Sequence, residues 1–167
     1  MIAHATISAT ISLVTATPAT ARELQTSTQA FVHSFGLLVT RQTPCGQSVS
    51  PSIAHALMAI LDREEAGVAT YQHELAELLG LDRSSITRLC ARLEADGRLK
   101  QQAAPDDART RLLRLTASGQ RMAGNIRAAS LERFTRILEA IPASRRRQLL
   151  DALNVLTAAV QTLEEGT

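Results

Sequence analysis

Between Arg83 and Arg114 the sequence sets arginine and hydroxyl side chains at spacings that let them grip an anion. Arg83, Ser84, Ser85, Thr87 and Arg88 fall close together, and Arg92 follows about one helical turn after Arg88. On a helix whose buried stripe is Ile86, Leu89, Cys90 and Leu93, Thr87 and Arg88 lie on the opposite side and are free to face a partner. A guanidinium donates paired hydrogen bonds to a guanine edge or to phosphate oxygens, and a hydroxyl reaches either target. Farther on, Asp107 and Arg109 stand two apart in a turn-forming stretch, with Arg111 just beyond. The carboxylate can hold the guanidinium in one pose by a charge-assisted hydrogen bond. An arginine on a narrow protruding turn suits a minor groove, where the potential is most negative. The plain alternative is a surface ion pair contributing about 0–1 kcal/mol.

Charge distribution points the same way. The whole chain of 167 residues carries only +2, yet Arg83–Arg114 holds eight basic side chains against four acidic ones. The remainder is therefore net negative, and the basic zone is either a footprint for a polyanion or a solvated charged face. Other chemistry finds little support. Cys45 and Cys90 form neither a metal-ligand pattern nor a disulfide framework, and His4, His33, His55 and His73 are scattered without ligand spacing. Nucleophile-elbow, zinc-protease and phosphate-loop motifs are missing, so no enzyme, metal or cofactor is expected. The first basic residue is Arg22, so a secretory leader is not expected, and no apolar run approaches the roughly 18 residues of a membrane span. A reducing cytoplasm fits, with no membrane partner.

The elements that must position these residues can be read from caps and periods. At 2% aromatic and without Trp, the core must be aliphatic, which favours interdigitating helices. Residues 1–19 read as an extension rich in Ala, Thr and Ser. Thr20 and Glu23 have the spacing of a capping box, opening a helix that runs to about Arg41. Ser50 followed by Pro51 opens a second, with Ile53, Leu57, Ile60 and Leu61 on one face. Thr70 is the expected cap of Tyr71–Leu79, with Leu75, Leu78 and Leu79 inward and Gly80 as the stop. Asp82 caps a helix to about Asp96. Two short strands, Arg98–Ala103 and Thr110–Leu115, flank a turn at Ala104–Asp107, and Thr116 caps a long helix that Pro142 separates from a last one. Helix, short turn, helix, then strand–turn–strand is a winged helix-turn-helix, so the fold is mainly α with a small β-wing.

The stretch VATYQHELAELLGLDRSSITRLCARLEADGRL, followed by PDDARTRLLRLTASG, closely resembles the DNA-binding half of the MarR family. The D-R-S-S-I-T-R-L helix and the D-x-R wing followed by L-T-x-x-G carry the likeness, which covers about Ser50 to Gly119. The resemblance implies a transcriptional regulator, a ligand-responsive repressor that binds a pseudo-palindromic duplex operator as a homodimer. Residues 20–48 and 117–167 would supply the dimerisation helices and 49–116 the DNA-binding domain. The outward stripe of Phe134, Ile137, Leu153, Leu156, Val160 and Leu163 has little else in so small a chain to cover it. The resemblance also implies a small aromatic effector in a cleft walled by the first, second and fifth helices, where His33, Phe35, Arg41 and His55 are the candidates. Some relatives sense peroxide through a cysteine, and Cys45 is the redox candidate, although it is displaced from the usual position. Two departures stand out: Ala108 sits between Asp107 and Arg109 where a basic residue is common, and Gln101-Gln102 follow Lys100 where arginine is usual. A winged helix used only for protein contact is the remaining alternative; it predicts no exposed arginine at the wing tip, where Arg109 stands.

Overall fold

In a computed structural model of the chain, residues 16–36, 48–104 and 110–165 are described. Helix α1 (Pro18–Phe35) begins where Thr17 accepts a hydrogen bond from the backbone of Thr20 and the Thr20 side chain accepts one from the backbone of Thr17. The cap is thus three residues earlier than Thr20, because Pro18 fits the first helical position, where no N–H is missed. The helix also ends early. Gly36 takes the left-handed conformation at φ 81° and its N–H closes the last turn, so the helix stops short of Arg41.

The chain divides into two compact units, Met1–Leu38 and Val39–Thr167. In the second, Ser50 caps α2 (Pro51–Glu65) with Pro51 in its first turn. Strand β1 (Thr70–Tyr71) leads directly into α3 (Gln72–Leu79), and Gly80 turns the chain towards α4 (Arg83–Ala95). Strands β2 (Leu99–Ala103) and β3 (Arg111–Leu115) are followed by α5 (Ala117–Glu139) and α6 (Ala143–Glu165). The sheet is antiparallel in the order β1-β3-β2, with Leu99 opposite Leu115 and Thr70 opposite Leu113. Thr70 is therefore a strand residue rather than a helix cap. The cap position falls to Tyr71, whose N–H donates to Glu74 Oε2 at 3.3 Å.

All the buried residues of the described structure fall between Ile53 and Ile126. Leu57 and Ile60 from α2, Leu75 from α3, Ile86, Cys90 and Leu93 from α4, Leu99 and Leu113 from the sheet, and Ala123 and Ile126 from α5 form one core. Each fully buried Leu or Ile contributes about 1.5–3 kcal/mol of apolar transfer. Leu79 packs at the edge of this core, but Leu78 points outward, 64% exposed. An eight-residue helix has one inward row, and Leu75 with its neighbours fills it.

Polar links fix α3 and the sheet against α2. Arg63 donates to the Ala69 carbonyl at 2.7 Å and to Glu74 Oε2 at 2.6 Å. Glu64 Oε1 accepts the Leu115 N–H at 2.8 Å, joining the base of the wing to the last turn of α2. No helix among the described residues is long and apolar enough to cross a membrane.

Candidate nucleic-acid interface

The front of α4 is organised by Asp82. Its Oδ1 accepts the Ser84 and Ser85 backbone N–H groups, each at 2.8 Å, so two free donors of the first turn are satisfied. The Ser84 hydroxyl donates to Oδ1 and the Ser85 hydroxyl to Oδ2, both at 2.7 Å. With four donors around it, the carboxyl lies well below the usual aspartate range; the Ser84 hydroxyl is the largest cause, followed by the Ser85 hydroxyl. Both serine hydroxyl protons are thereby directed back at the cap.

One turn on, the Thr87 hydroxyl donates to the Arg83 carbonyl at 2.7 Å and accepts from Gln72 Nε2 at 2.9 Å. Gln72 opens α3, so this contact locks the two helices of the motif at their shared front. Arg83 and Thr87 line a cleft of about 860 Å³ with Gln72, His73, Gln101 and Arg111. Arg88 lies on the exposed face and donates to the Ser85 hydroxyl at 3.2 Å. On the wing, Lys100 lies directly opposite Arg114 across the ladder, and both are exposed. Like charges facing each other in a sheet repel, which an anionic partner would relieve. Among the described residues, Arg83, Arg88, Lys100, Arg111 and Arg114 have no carboxylate at ion-pair distance.

The predicted site residues thus separate. Arg83, Thr87 and Arg111 share one cleft, and Ser84, Ser85 and Arg88 adjoin it on the front of α4. Arg92 lies elsewhere: it faces Asp96 at 4.0 Å and lines a second cleft of about 530 Å³ with Arg98 and Met122. Asp107, Arg109, Arg41 and Cys45 lie outside the described residues. His33 is exposed on α1, where Phe35 stacks on Phe31 with ring centroids 5.2 Å apart, and His55 is exposed on α2. Cys90 is buried in the core, and burial, followed by the nearby Glu94 charge, pushes its thiol up to about 11. Gln72 and the Lys100–Arg114 pair were not singled out by sequence reasoning. The first becomes visible only once α3 and α4 are docked; the second follows from the strand register.

Known proteins place this geometry. Residues 48–110 match the model of the MarR family, and no curated protein matches the chain. The PcaV transcriptional regulator of Streptomyces coelicolor, solved in complex with its natural ligand, is 25% identical, with a TM-score of 0.55 over 87% of this chain and 94% of that one. Staphylococcus aureus MepR, solved in complex with DNA, has a TM-score of 0.60 at 14% identity over 85% of this chain and 93% of its own. NadR in complex with 4-hydroxyphenylacetate has a TM-score of 0.59 at 20% identity over 86% and 95%. The last two share the fold. The family match lies on the helix-turn-helix and the first wing strand, so this segment is similar to the MarR family, and the fold of the solved regulators is shared along most of the chain.

Proposed function

We propose that the chain is a homodimeric, ligand-responsive repressor that seats α4 in the major groove of a duplex operator. The observation that carries this reading is the group of cations, Arg83, Arg88 and Arg111, on and beside the exposed front of α4, with no carboxylate at ion-pair distance among the described residues. Arg83 and Arg88 are the base and phosphate contacts, with Ser84, Ser85 and Thr87 between them. Lys100 and Arg114 extend the positive surface along the wing, and Asp107 and Arg109 are proposed for the minor groove. The solved MepR–DNA complex supports a DNA partner, the PcaV complex with its natural ligand supports an effector, and the NadR complex with 4-hydroxyphenylacetate supports a small aromatic one. For this chain, His33, Phe35, Arg41 and His55 are the effector candidates. Residues 20–48 and 117–167 are proposed as the dimerisation elements.

The test is binding to duplex DNA from the chain's own promoter region as salt is raised. Each phosphate neutralised adds about −0.9 to the slope of log affinity against log salt, so a steep decline is expected. Arg83→Ala should cost roughly 1–3 kcal/mol, and if Arg83 meets a phosphate it should flatten the slope by about one. A salt-independent affinity, or no binding at low salt, rejects the reading.

A further inference from the structure

We infer that Thr87 recognises the C5 methyl group of a thymine with its own methyl group, and that Gln72 is the positioning residue that holds it in this role. This rests on α4 occupying the major groove. A threonine hydroxyl has one proton, and that of Thr87 goes to the Arg83 carbonyl at 2.7 Å. The oxygen also accepts from Gln72 Nε2 at 2.9 Å, so the hydroxyl is engaged both as donor and as acceptor. Two hydrogen bonds on one oxygen fix the side-chain rotamer of a β-branched residue, which leaves Cγ2 as the uncommitted group of an exposed side chain lining the cleft.

The neighbours strengthen the argument by elimination. The Ser84 and Ser85 hydroxyl protons are both given to Asp82, so none of the three hydroxyls at the front of α4 has a proton left for a base. Donation to bases is left to the Arg83 and Arg88 guanidinium groups. In the major groove the apolar feature that distinguishes a base is the thymine methyl. A hydrogen-bonding threonine would favour no one base, whereas a methyl-presenting one favours thymine.

The experiment selects binding sites from a random duplex pool with the full-length protein. Each thymine of the selected site is then replaced by deoxyuridine, which removes only the methyl. At one symmetry-related position the wild type should lose roughly fourfold in affinity per half-site, the worth of one buried methyl. Thr87→Val keeps a methyl and, because valine on a helix holds one dominant rotamer without any hydrogen bond where threonine splits between two, should preserve the thymine-to-uracil ratio at that position, while Thr87→Ser should reduce it to about one. Gln72→Ala should lower the ratio without touching DNA itself, an effect that loss of stability alone would not produce. Wild-type indifference to every deoxyuridine, or an unchanged ratio in Thr87→Ser, overturns the inference while leaving DNA binding intact. Failure to bind any duplex at low salt overturns the DNA reading and this inference with it.

Discussion

Leucine and isoleucine meet opposite fates in two parts of this molecule. From Ile53 to Ile126 most are driven inside, with Leu78 the exposed exception: Leu57, Ile60, Leu75, Leu93, Leu113 and Ile126 are all at most 1% exposed. In α6, by contrast, Leu153 is 46% and Val160 50% exposed, and α1 buries no residue at all. Helix α5 belongs to both regimes, burying Gly119, Ala123 and Ile126 in its first half and leaving Leu131 exposed in its second. The apolar positions of α6 at Leu149, Leu153, Leu156, Val160 and Leu163 alternate steps of four and three, the spacing of a helix that packs on another helix. A lone chain gains little from such a stripe, since each exposed leucine forgoes about 1.5–3 kcal/mol of burial. The part from Ile53 to Ile126 has its apolar cover within one chain; the proposed dimer would give the last helices theirs from a second.

One methyl group added at two places on α5 separates the side of the helix pressed on the core from the side that faces away from it. A Cβ at Gly119 would sit 2.0 Å from the backbone oxygen of Arg98, where the start of the helix presses on the base of the wing. No side-chain rotation relieves a clash with backbone, so Gly119→Ala should cost roughly 4 kcal/mol or more and depress soluble yield. At Gly124, five residues on, a Cβ meets nothing within 4 Å, and Gly124→Ala should stabilise by about 0.5–1 kcal/mol through helix propensity. Thermal unfolding of both variants checks the pair. Equal effects would mean that the start of α5 is not pressed against the Arg98 backbone.

The second part is broken by charge. Leu153→Asp with Val160→Asp should leave the core of Ile53–Ile126 folded, because neither residue touches it. Sedimentation should report two chains for the parent, as proposed, and one for the variant. With a single recognition helix per particle, the avidity of two half-sites is lost, and affinity for a full operator should fall roughly 10²- to 10⁴-fold. A double variant that still sediments as two chains would place the dimer contact elsewhere than α6.

How far each part could be read from sequence follows from how local its signals are. Asp82 as cap, the stripe of Ile86, Cys90 and Leu93, and Thr116 as the next cap are all settled within a few residues of chain, and each is found in place. Thr70 looks like a helix cap for the same local reasons, but its pairing with Leu113, far along the chain, draws it into the sheet. Nothing near Leu78 shows that α3 has room for a single inward row. The Gln72–Thr87 contact spans 15 residues and exists only after α3 and α4 have docked, so no period or motif announces it. The basic side chains of the site were legible as a cluster. Their division, with Arg92 drawn aside by Asp96 and Arg83 kept in the cleft, was not.

The smallest effect concerns the cap that makes α4 rigid before it meets any partner. Asp82→Ala leaves the Ser84 and Ser85 backbone N–H groups without their acceptor and frees both hydroxyls, so the variant should melt a few degrees lower. The pH dependence has a definite sign. Because the folded carboxyl is held well below its ordinary 3.8, its contribution is fully present above that value and is lost only as the pH falls through the strongly acid range. The melting difference between wild type and variant should therefore be constant from neutral pH down to about pH 5 and shrink in stronger acid. Asp82→Asn, which keeps an acceptor without the charge, should recover part of the difference and show no such acid dependence. If both variants melt with the wild type at neutral pH, the order at the front of α4 comes from core packing behind Ile86 rather than from the cap.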